Sequence, residues 1–143
     1  MYPTRFQTGW SNIIHLTAAG DCCDHGTRIP AVWFHPSNST ATKNRLRICS
    51  SFNSDGNHLF DTDFLVPVSQ WTTVLISQLP DLIDNQYRYT IKVANVQVYS
   101  LVNSNPREFQ HVQVFISSPW SDPAQGRIRK LTINPYAAGK FIK

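Results

Sequence analysis

Residues 70–101, QWTTVLISQLPDLIDNQYRYTIKVANVQVYSL, carry the pattern that decides the fold of this chain. Apolar and polar residues alternate through residues 87–93, and a period of two is typical of a strand with one buried face. Ala94 and Asn95 follow, and asparagine tolerates the positive φ that a tight hairpin turn requires. The sequence therefore predicts a hairpin with a two-residue turn, which keeps the apolar residues on one face. Its predicted pairs are Val93 with Val96, Lys92 with Gln97, Ile91 with Val98, and Tyr89 with Ser100.

Composition predicts a single packed domain over residues 1–143, with little helix. Apolar residues make up 41% of the chain and charged residues 15%, which indicates a folded globule and excludes a disordered chain. Short apolar runs alternate with turns rich in Pro, Gly, Ser, Thr and Asn, which predicts a β-sandwich or a barrel. No apolar run reaches the ~18 residues of a membrane span. We expect a core over about residues 8–133 and a tail over residues 134–143.

Further strands are predicted on both sides of the hairpin. Residues 45–52 alternate, and residues 28–34 are apolar on both faces, which predicts a strand buried on both sides or one covered by a loop. Pro30 indicates that the strand over residues 28–34 is an edge strand, has a bulge at this residue or begins there. The alternation of residues 45–52 gives an inward set, Leu46, Ile48, Ser50 and Phe52, and an outward set, Arg45, Arg47 and Cys49. The other predicted strands are residues 13–16, 58–66, 71–76, 109–117 and 127–133.

The three cysteines and one sequon favour an extracellular protein. Adjacent cysteines seldom bridge each other, so we expect Cys49 to pair with one of Cys22 and Cys23, and the outward direction of Cys49 favours Cys22. Asn38-Ser-Thr lies between two predicted strands, a setting that suits N-glycosylation at a surface loop. Both features are typical of an oxidising, extracellular compartment.

The net charge of +4 allows two interpretations. Outward Lys and Arg on strands serve solubility and protect sheet edges, which is the simpler account. Alternatively, a basic face attracts polyanions such as sulfated glycans, and the candidate residues are Arg45, Arg47, Arg88 and Lys92. Nucleic acid is not an expected partner, because the chain has no base-reading element and no dense Lys/Arg run.

An ordered series of motifs resembles one extracellular family. The runs are GWSNIIHLT, RIPAVWF, LRICSSFN, QWTTVLISQ, YRYTIKVANVQVYS and FQHVQVFISSPWSDPAQGRIRKL, which span about residues 8–133. Together they are similar to metazoan modules of the laminin-G-like, concanavalin A-like jelly-roll superfamily. The resemblance implies an all-β, antiparallel two-sheet jelly-roll β-sandwich with an adhesive or ligand-binding role. It does not settle the function, because one fold serves many functions.

The resemblance also raises a question about the amino-terminal edge. Modules of that family have a strand before the Gly-Trp segment, and here only residues 1–6 remain to supply it. Three outcomes are open: residues 1–6 form a short strand, the tail over residues 134–143 covers the gap, or a second molecule supplies the strand. The third would make the protein a homo-oligomer through a sheet edge.

Two loops are candidate ligand sites. Trp120 lies in a Pro-bounded loop with Asp122 and Gln125, and an exposed ring beside polar side chains suits a sugar. The alternative is that Trp120 folds back and closes the end of the sandwich. Ca²⁺ is the only cofactor that the resemblance suggests, since laminin-G-like domains often hold it with Asp and carbonyl oxygens. Its candidate ligands are Asp21 with Asp24, or Asn53, Asp55 and Asn57, and Asx-rich turns are the simpler account of both groups.

Enzymatic activity is not expected. Glycoside hydrolysis needs two carboxylates across a groove, and only the pair Asp61 and Asp63 has a suitable separation, in a context unlike a glucanase motif. We therefore expect a non-enzymatic, secreted recognition or adhesion module, with carbohydrate binding as the leading hypothesis. The alternative is a structural, self-assembling matrix protein that pairs through sheet edges. The expected partners are glycans or extracellular proteins.

Overall fold

The computed structural model describes residues 1–81 and 86–134, and in these residues all regular structure is β. Most of the strands are short and antiparallel to their neighbours. The strands are β1 Tyr2–Pro3, β2 Ser11–Thr17, β3 Ala31–Phe34, β4 Leu46–Phe52, β5 Asp55–Asp61, β6 Val74–Asp81, β7 Gln86–Val93, β8 Val96–Asn103, β9 Gln113–Ile116 and β10 Gly126–Arg127. The predicted all-β class is therefore confirmed.

The chain forms two packed layers. One is a five-stranded antiparallel sheet in the order β5-β4-β3-β2-β9. The other contains β6-β7-β8 and, beside β6, the small sheet β1-β10. Backbone hydrogen bonds connect these two parts: the Met1 amine donates to the Thr72 carbonyl and the Thr72 N–H to the Met1 carbonyl, each at 2.8 Å, and the Ser69 N–H donates to the Pro3 carbonyl at 2.8 Å. The result is an antiparallel β-sandwich, as the sequence predicts.

The core lies between the layers and is built from the inward sets of the strands. Leu46, Ile48 and Phe52 of β4 pack with Ile91 and Val93 of β7 in one buried cluster. Removing such side chains from water is the main favourable term in folding. Two polar contacts also cross between the layers: the hydroxyls of Ser50 and Tyr89 lie 2.5 Å apart, and His58 Nε2 lies 2.6 Å from the Tyr99 hydroxyl.

The central hairpin forms with the predicted turn and a changed register. Ala94 and Asn95 have φ values of 49° and 67°, as a two-residue turn with two positive φ angles requires. The pairs Val93–Val96 and Lys92–Gln97 are confirmed. Beyond them a bulge shifts β8 by one residue, so the other two predicted pairs are wrong. The observed pairs are Ile91 with Tyr99 and Tyr89 with Leu101.

Other predicted strands change at their ends. β3 begins just after Pro30, in agreement with one of the three positions expected for that residue. The predicted strand over residues 58–66 begins earlier, at Asp55, and ends at Asp61. The predicted closing strand over residues 127–133 is wrong beyond Arg127, because residues 128–133 pair with no strand in the described part of the chain. The predicted tail lies outside the described residues from residue 135 onward.

The amino-terminal segment corresponds to the first of the three outcomes. β1 pairs with β10 on one side, and the residues before β6 bond to it on the other. Gly126 permits the close approach of these two strands, since a Cβ there would collide with the Tyr2 carbonyl and the Pro3 backbone. This edge is therefore occupied by the chain itself.

The predicted bond between Cys22 and Cys49 is wrong. Cys22 and Cys23 are bonded to each other, and Cys49 is a buried free thiol that packs with Ala31 and Trp33. The loop that carries the cysteine pair lies over the β4–β5 turn instead, because Gly56 leaves room for the backbone of residues 23–25. Burial raises the pKa of the Cys49 thiol to about 11, so this thiol stays protonated at neutral pH.

Candidate functional site

The face of the five-stranded sheet turned away from the second layer carries a cluster of aromatic and charged side chains. Strand alternation sends Trp33 of β3 and Arg47 of β4 to this outer face, opposite to the core residues between them. Asp61 of β5 joins them, since it is the cross-strand partner of Arg47. His35, which follows β3, lies on the same side and is bonded to Asp61.

Asp61 is the centre of a hydrogen-bonded group on this face. Arg47 donates to it from Nε at 2.7 Å and from Nη2 at 2.6 Å, a bidentate pair. His35 Nε2 donates to the same carboxylate at 2.9 Å. The ring of Trp10 lies against both donors, 4.4 Å from the His35 ring and 4.5 Å from the Arg47 guanidinium carbon. We call Trp10, His35, Arg47 and Asp61 the outer-face site.

The protonation states of this site follow from its contacts. The hydrogen bond from Arg47 lowers the pKa of Asp61, which keeps the carboxylate ionised. Burial lowers the pKa of His35, and this effect outweighs the raising effect of Asp61, so the imidazole is neutral at pH 7. A carboxylate held ionised does not suit the role of general acid, which requires a raised pKa. Asp61 therefore accepts hydrogen bonds and does not supply a proton.

Asp61 and Arg47 retain hydrogen-bonding capacity for a ligand. The two bonds from Arg47 use its Nε and Nη2, and no described residue accepts from its Nη1. The Asp61 Oδ2 atom accepts one bond and has room for another. Trp10 is 39% exposed, so part of its ring is available to a ligand that contacts these polar atoms.

The predicted sugar site around Trp120 is only partly assembled. Trp120 is 45% exposed, and its ring packs on the same outer face, 5.4 Å from His15 and 5.6 Å from Phe115. Asp122 lies in the same loop with its side chain exposed, while its carbonyl accepts a bond from the Asn12 backbone. Gln125 lies elsewhere and lines a cavity of about 80 Å³ between the layers, beside β1 and β10. That volume suits a few water molecules, not a sugar ring.

Trp120 nevertheless belongs to the same face as the outer-face site. Trp33 connects the two, since its ring lies 5.8 Å from His15, and its Nε1 donates to Ser121 Oγ at 3.5 Å. The backbone of Gly9, next to Trp10, approaches the Asp122 carboxylate. Two half-exposed tryptophans therefore border one continuous surface.

The four basic residues predicted as a polyanion site lie on two opposite faces. Arg45 and Arg47 extend from β4 on the outer face of the five-stranded sheet, whereas Arg88 and Lys92 extend from β7 away from the core. The prediction that they form one site is therefore wrong. Three of them also have acidic partners: Arg45 with Asp63, Arg47 with Asp61 and Arg88 with Asp81.

The two predicted Ca²⁺ groups form turns in which protein groups use their oxygen atoms. Asn53 Oδ1 accepts from the Ser104 backbone at 2.8 Å, and Asp55 Oδ1 accepts from the Asn57 backbone at 2.8 Å. Asn57 Oδ1 and the Asp21 backbone carbonyl each accept a bond from Arg28, while the Asp24 carbonyl accepts from Thr27. Within residues 1–81 and 86–134, no three His, Cys, Asp or Glu side chains are grouped as metal ligands. The turn interpretation accounts for these contacts.

Sequence reasoning identified Arg47 and missed the rest of the outer-face site as a ligand site. Asp61 had been weighed only as half of a hydrolytic pair with Asp63, although the structure bonds it to Arg47 across the β4–β5 hairpin. Trp10 and His35 precede and follow strands, so alternation gave no direction for their side chains. Only the strong turn at residues 53–57 could have suggested that β4 and β5 pair.

Comparisons with family models, curated proteins and solved structures find no match to this chain. The laminin-G-like resemblance therefore stays an expectation from the sequence, as does the jelly-roll topology. No helix in the described residues is long and apolar enough to cross a membrane.

Proposed function

We propose that the protein is a non-enzymatic recognition module that binds carbohydrate on the outer face of its five-stranded sheet. The observation that supports this most directly is the half-exposed ring of Trp10 beside the bidentate Arg47–Asp61 pair. Aromatic rings offer an apolar surface to the C–H face of a sugar, and a fixed carboxylate and guanidinium recognise its hydroxyls. Trp120 extends the same surface and is the second aromatic contact.

The chemistry favours a neutral sugar with neighbouring hydroxyl groups. One hydroxyl donates to Asp61 Oδ2 while the next accepts from Arg47 Nη1, the two atoms with remaining capacity. An acidic sugar is disfavoured, because the Arg47 charge is already balanced by Asp61. The Asp61–His35 bond supports this role by fixing the carboxylate, so less order is lost when a ligand binds.

A glycan array with matched tryptophan variants tests the proposal. Trp10→Ala removes the stacking surface, and Trp71→Ala is its control, because Trp71 is also 39% exposed and lies in the other layer. We expect Trp10→Ala and Asp61→Asn to abolish binding of neutral glycans and Trp71→Ala to retain it. Absence of binding by the parent protein at high concentration, or equal loss in both tryptophan variants, would refute the proposal.

An extracellular location is part of the same proposal. Asn38 is exposed in the loop between β3 and β4, where an oligosaccharide transferase can reach it. Recognition of glycans and adhesion both take place outside the cell, so location and activity support each other. Release of a glycan from Asn38 by a peptide N-glycosidase tests this part separately.

A second candidate function, self-assembly through sheet edges, is supported by β8. This strand has eight residues and pairs only with β7 in the described part of the chain, and it contains no charged residue. Val96 on it is 61% exposed, and edges without charges or proline pair readily with other chains. Light scattering over a concentration series tests this function: a monomer at all concentrations excludes it, and an oligomer disrupted by Gln97→Lys supports it.

A further inference from the structure

The unpaired positive charge of this protein is concentrated at the β1–β10 edge of the second layer. Residues 1–20, 64–80 and 123–134 contain no Asp or Glu, and these three segments meet where β1 bonds to β10 and to the residues before β6. No described carboxylate forms an ion pair with the exposed cations of this edge. These cations are Arg5, Arg127, Arg129 and Lys130.

Two of these cations, Arg127 at the end of β10 and Arg129 just after it, project away from the core. Ile128 packs against the core, so Arg127 and Arg129 on either side of it point away from the core. Arg129 is held in place by Trp71, whose ring centre lies 3.9 Å from the guanidinium carbon. Tyr2 supports that ring from β1 at a centroid distance of 5.3 Å. The Arg129 guanidinium is therefore preoriented, with its edge free for an anion.

Among the described residues, the backbone of this segment has no partner on its outer side, and its extended part ends before Lys130, whose φ is 52°. β10 pairs only with β1, and apart from that pairing no backbone hydrogen bond joins residues 126–134 to the rest of the described chain. An open strand edge accepts an extended peptide, because its N–H and C=O groups continue the ladder. Leu131, nearly half-exposed beyond the cations, adds apolar contact area.

We propose that this edge, which we call the cationic edge, binds an extended acidic segment of a partner protein as an added strand. Alternate residues on a strand are ~6.6–7 Å apart, so acidic side chains at every second position of the added strand face Arg127 and Arg129. The charge selects an acidic partner, and the open ladder selects an extended peptide over other polyanions. This site is separate from the outer-face site and does not depend on the proposed function.

Fluorescence anisotropy with a labelled synthetic peptide tests the proposal. The probe is an eight-residue peptide of alternating Thr and Glu, and its control is the same peptide with alternate amides N-methylated, which keeps the charge and prevents ladder pairing. The test variant combines Arg127→Ser with Arg129→Ser. The control variant combines Lys43→Ser with Arg107→Ser, which removes the same charge at other places on the surface. A second double variant, Arg127→Ser with Lys130→Ser, keeps the contact between Arg129 and Trp71. It replaces the first double variant if loss of that contact disturbs the fold.

We expect the parent protein to bind the unmodified peptide, with an affinity that falls as salt rises. The first variant should lose roughly tenfold or more in affinity, as expected for two charge-assisted contacts, and the control variant should lose little. Equal binding of the N-methylated peptide, or equal loss in the control variant, overturns the proposal. Tighter binding of heparin or of single-stranded DNA at the same salt also overturns it, because charge alone would then explain the site.

Discussion

Replacing Asp61 by Asn should destabilise the protein, because it weakens the hydrogen bonds of the outer-face site. The carboxylate accepts two bonds from Arg47 and one from His35, and its side chain is 35% exposed. A partly exposed ion pair contributes about 1 kcal/mol at most, and loss of the charge-assisted bond to buried His35 adds a similar amount. Since the amide oxygen retains one acceptor, we expect a loss of about 1–2 kcal/mol in the free energy of unfolding at pH 7.

Asp63→Asn is the matched control for this change. Asp63 lies two residues away and also bonds an arginine, Arg45 at 2.8 Å, but its side chain is 97% exposed. Water competes fully for such a contact, so the change should alter stability by less than about 0.5 kcal/mol. Urea unfolding monitored by circular dichroism gives both values, and unchanged m-values would show that the unfolded states are comparable.

The pH dependence of the Asp61 effect gives the sharper measurement. The pKa of Asp61 is lower in the folded state than the value of about 3.9 in the unfolded state. The Asp61 carboxylate therefore contributes fully to the free energy of unfolding above a pH of about 3.9, and this contribution is lost as pH falls through the folded-state pKa. The part of the stability difference between parent and Asp61→Asn that comes from the Asp61 charge should therefore be lost as pH falls from about 4 toward 2. A difference independent of pH, or an equal difference for Asp63→Asn, would contradict the assigned role.

Three further results are expected. Tyr89→Phe and Ser50→Ala should each cost about 1–3 kcal/mol, because each leaves a buried hydroxyl or phenol without its partner, and the double variant should cost much less than their sum. Stability should fall as pH drops below about 6.5, and His15→Gln should reduce this slope by up to ~1.4 kcal/mol per pH unit, since burial lowers the pKa of His15 and favours its neutral form. Protein secreted from eukaryotic cells should lose mass on treatment with a peptide N-glycosidase, and Thr40→Ala should remove the glycan on Asn38; an unchanged mass contradicts the extracellular proposal.

The strand core could be predicted from the sequence because its cause is local. In β4, the inward residues Leu46 and Ile48 and the outward residue Arg47 follow from alternation alone, and the structure buries the first two. The turn at Ala94 and Asn95 is equally local, since both residues adopt the positive φ that the turn needs. These features depend on neighbouring residues, and for that reason no knowledge of the rest of the fold was required.

The outer-face site could not be predicted because Arg47 of β4 meets side chains from three other segments. Trp10 precedes β2, His35 follows β3, and Asp61 ends β5, so their contacts exist only once the sheet order is known. The cysteine prediction failed for a similar reason. The outward direction of Cys49 was correct, but the loop that was expected to reach it packs instead at the β4–β5 turn, against Gly56.

Two β-bulges determine which residues face each other across the β4–β5 and β7–β8 hairpins. A two-residue turn at Asn53 and Ser54 would place Arg47 opposite Phe60 if the ladder continued without interruption. The bulge between Ser50 and Phe52 adds one residue, so Arg47 faces Asp61.

The bulge in β8 acts in the same way on the opposite layer. It places Tyr99 opposite Ile91 on the core side, where the Tyr99 ring lies 4.4 Å from Phe60 and its hydroxyl reaches His58. A one-residue shift exchanges the two faces of a strand, so the same alternating sequences without bulges would present different side chains to the core and to the ligand face. The polar contacts of this protein, including the proposed carbohydrate site, therefore depend on where the ladders are interrupted and not only on the alternation that forms the strands.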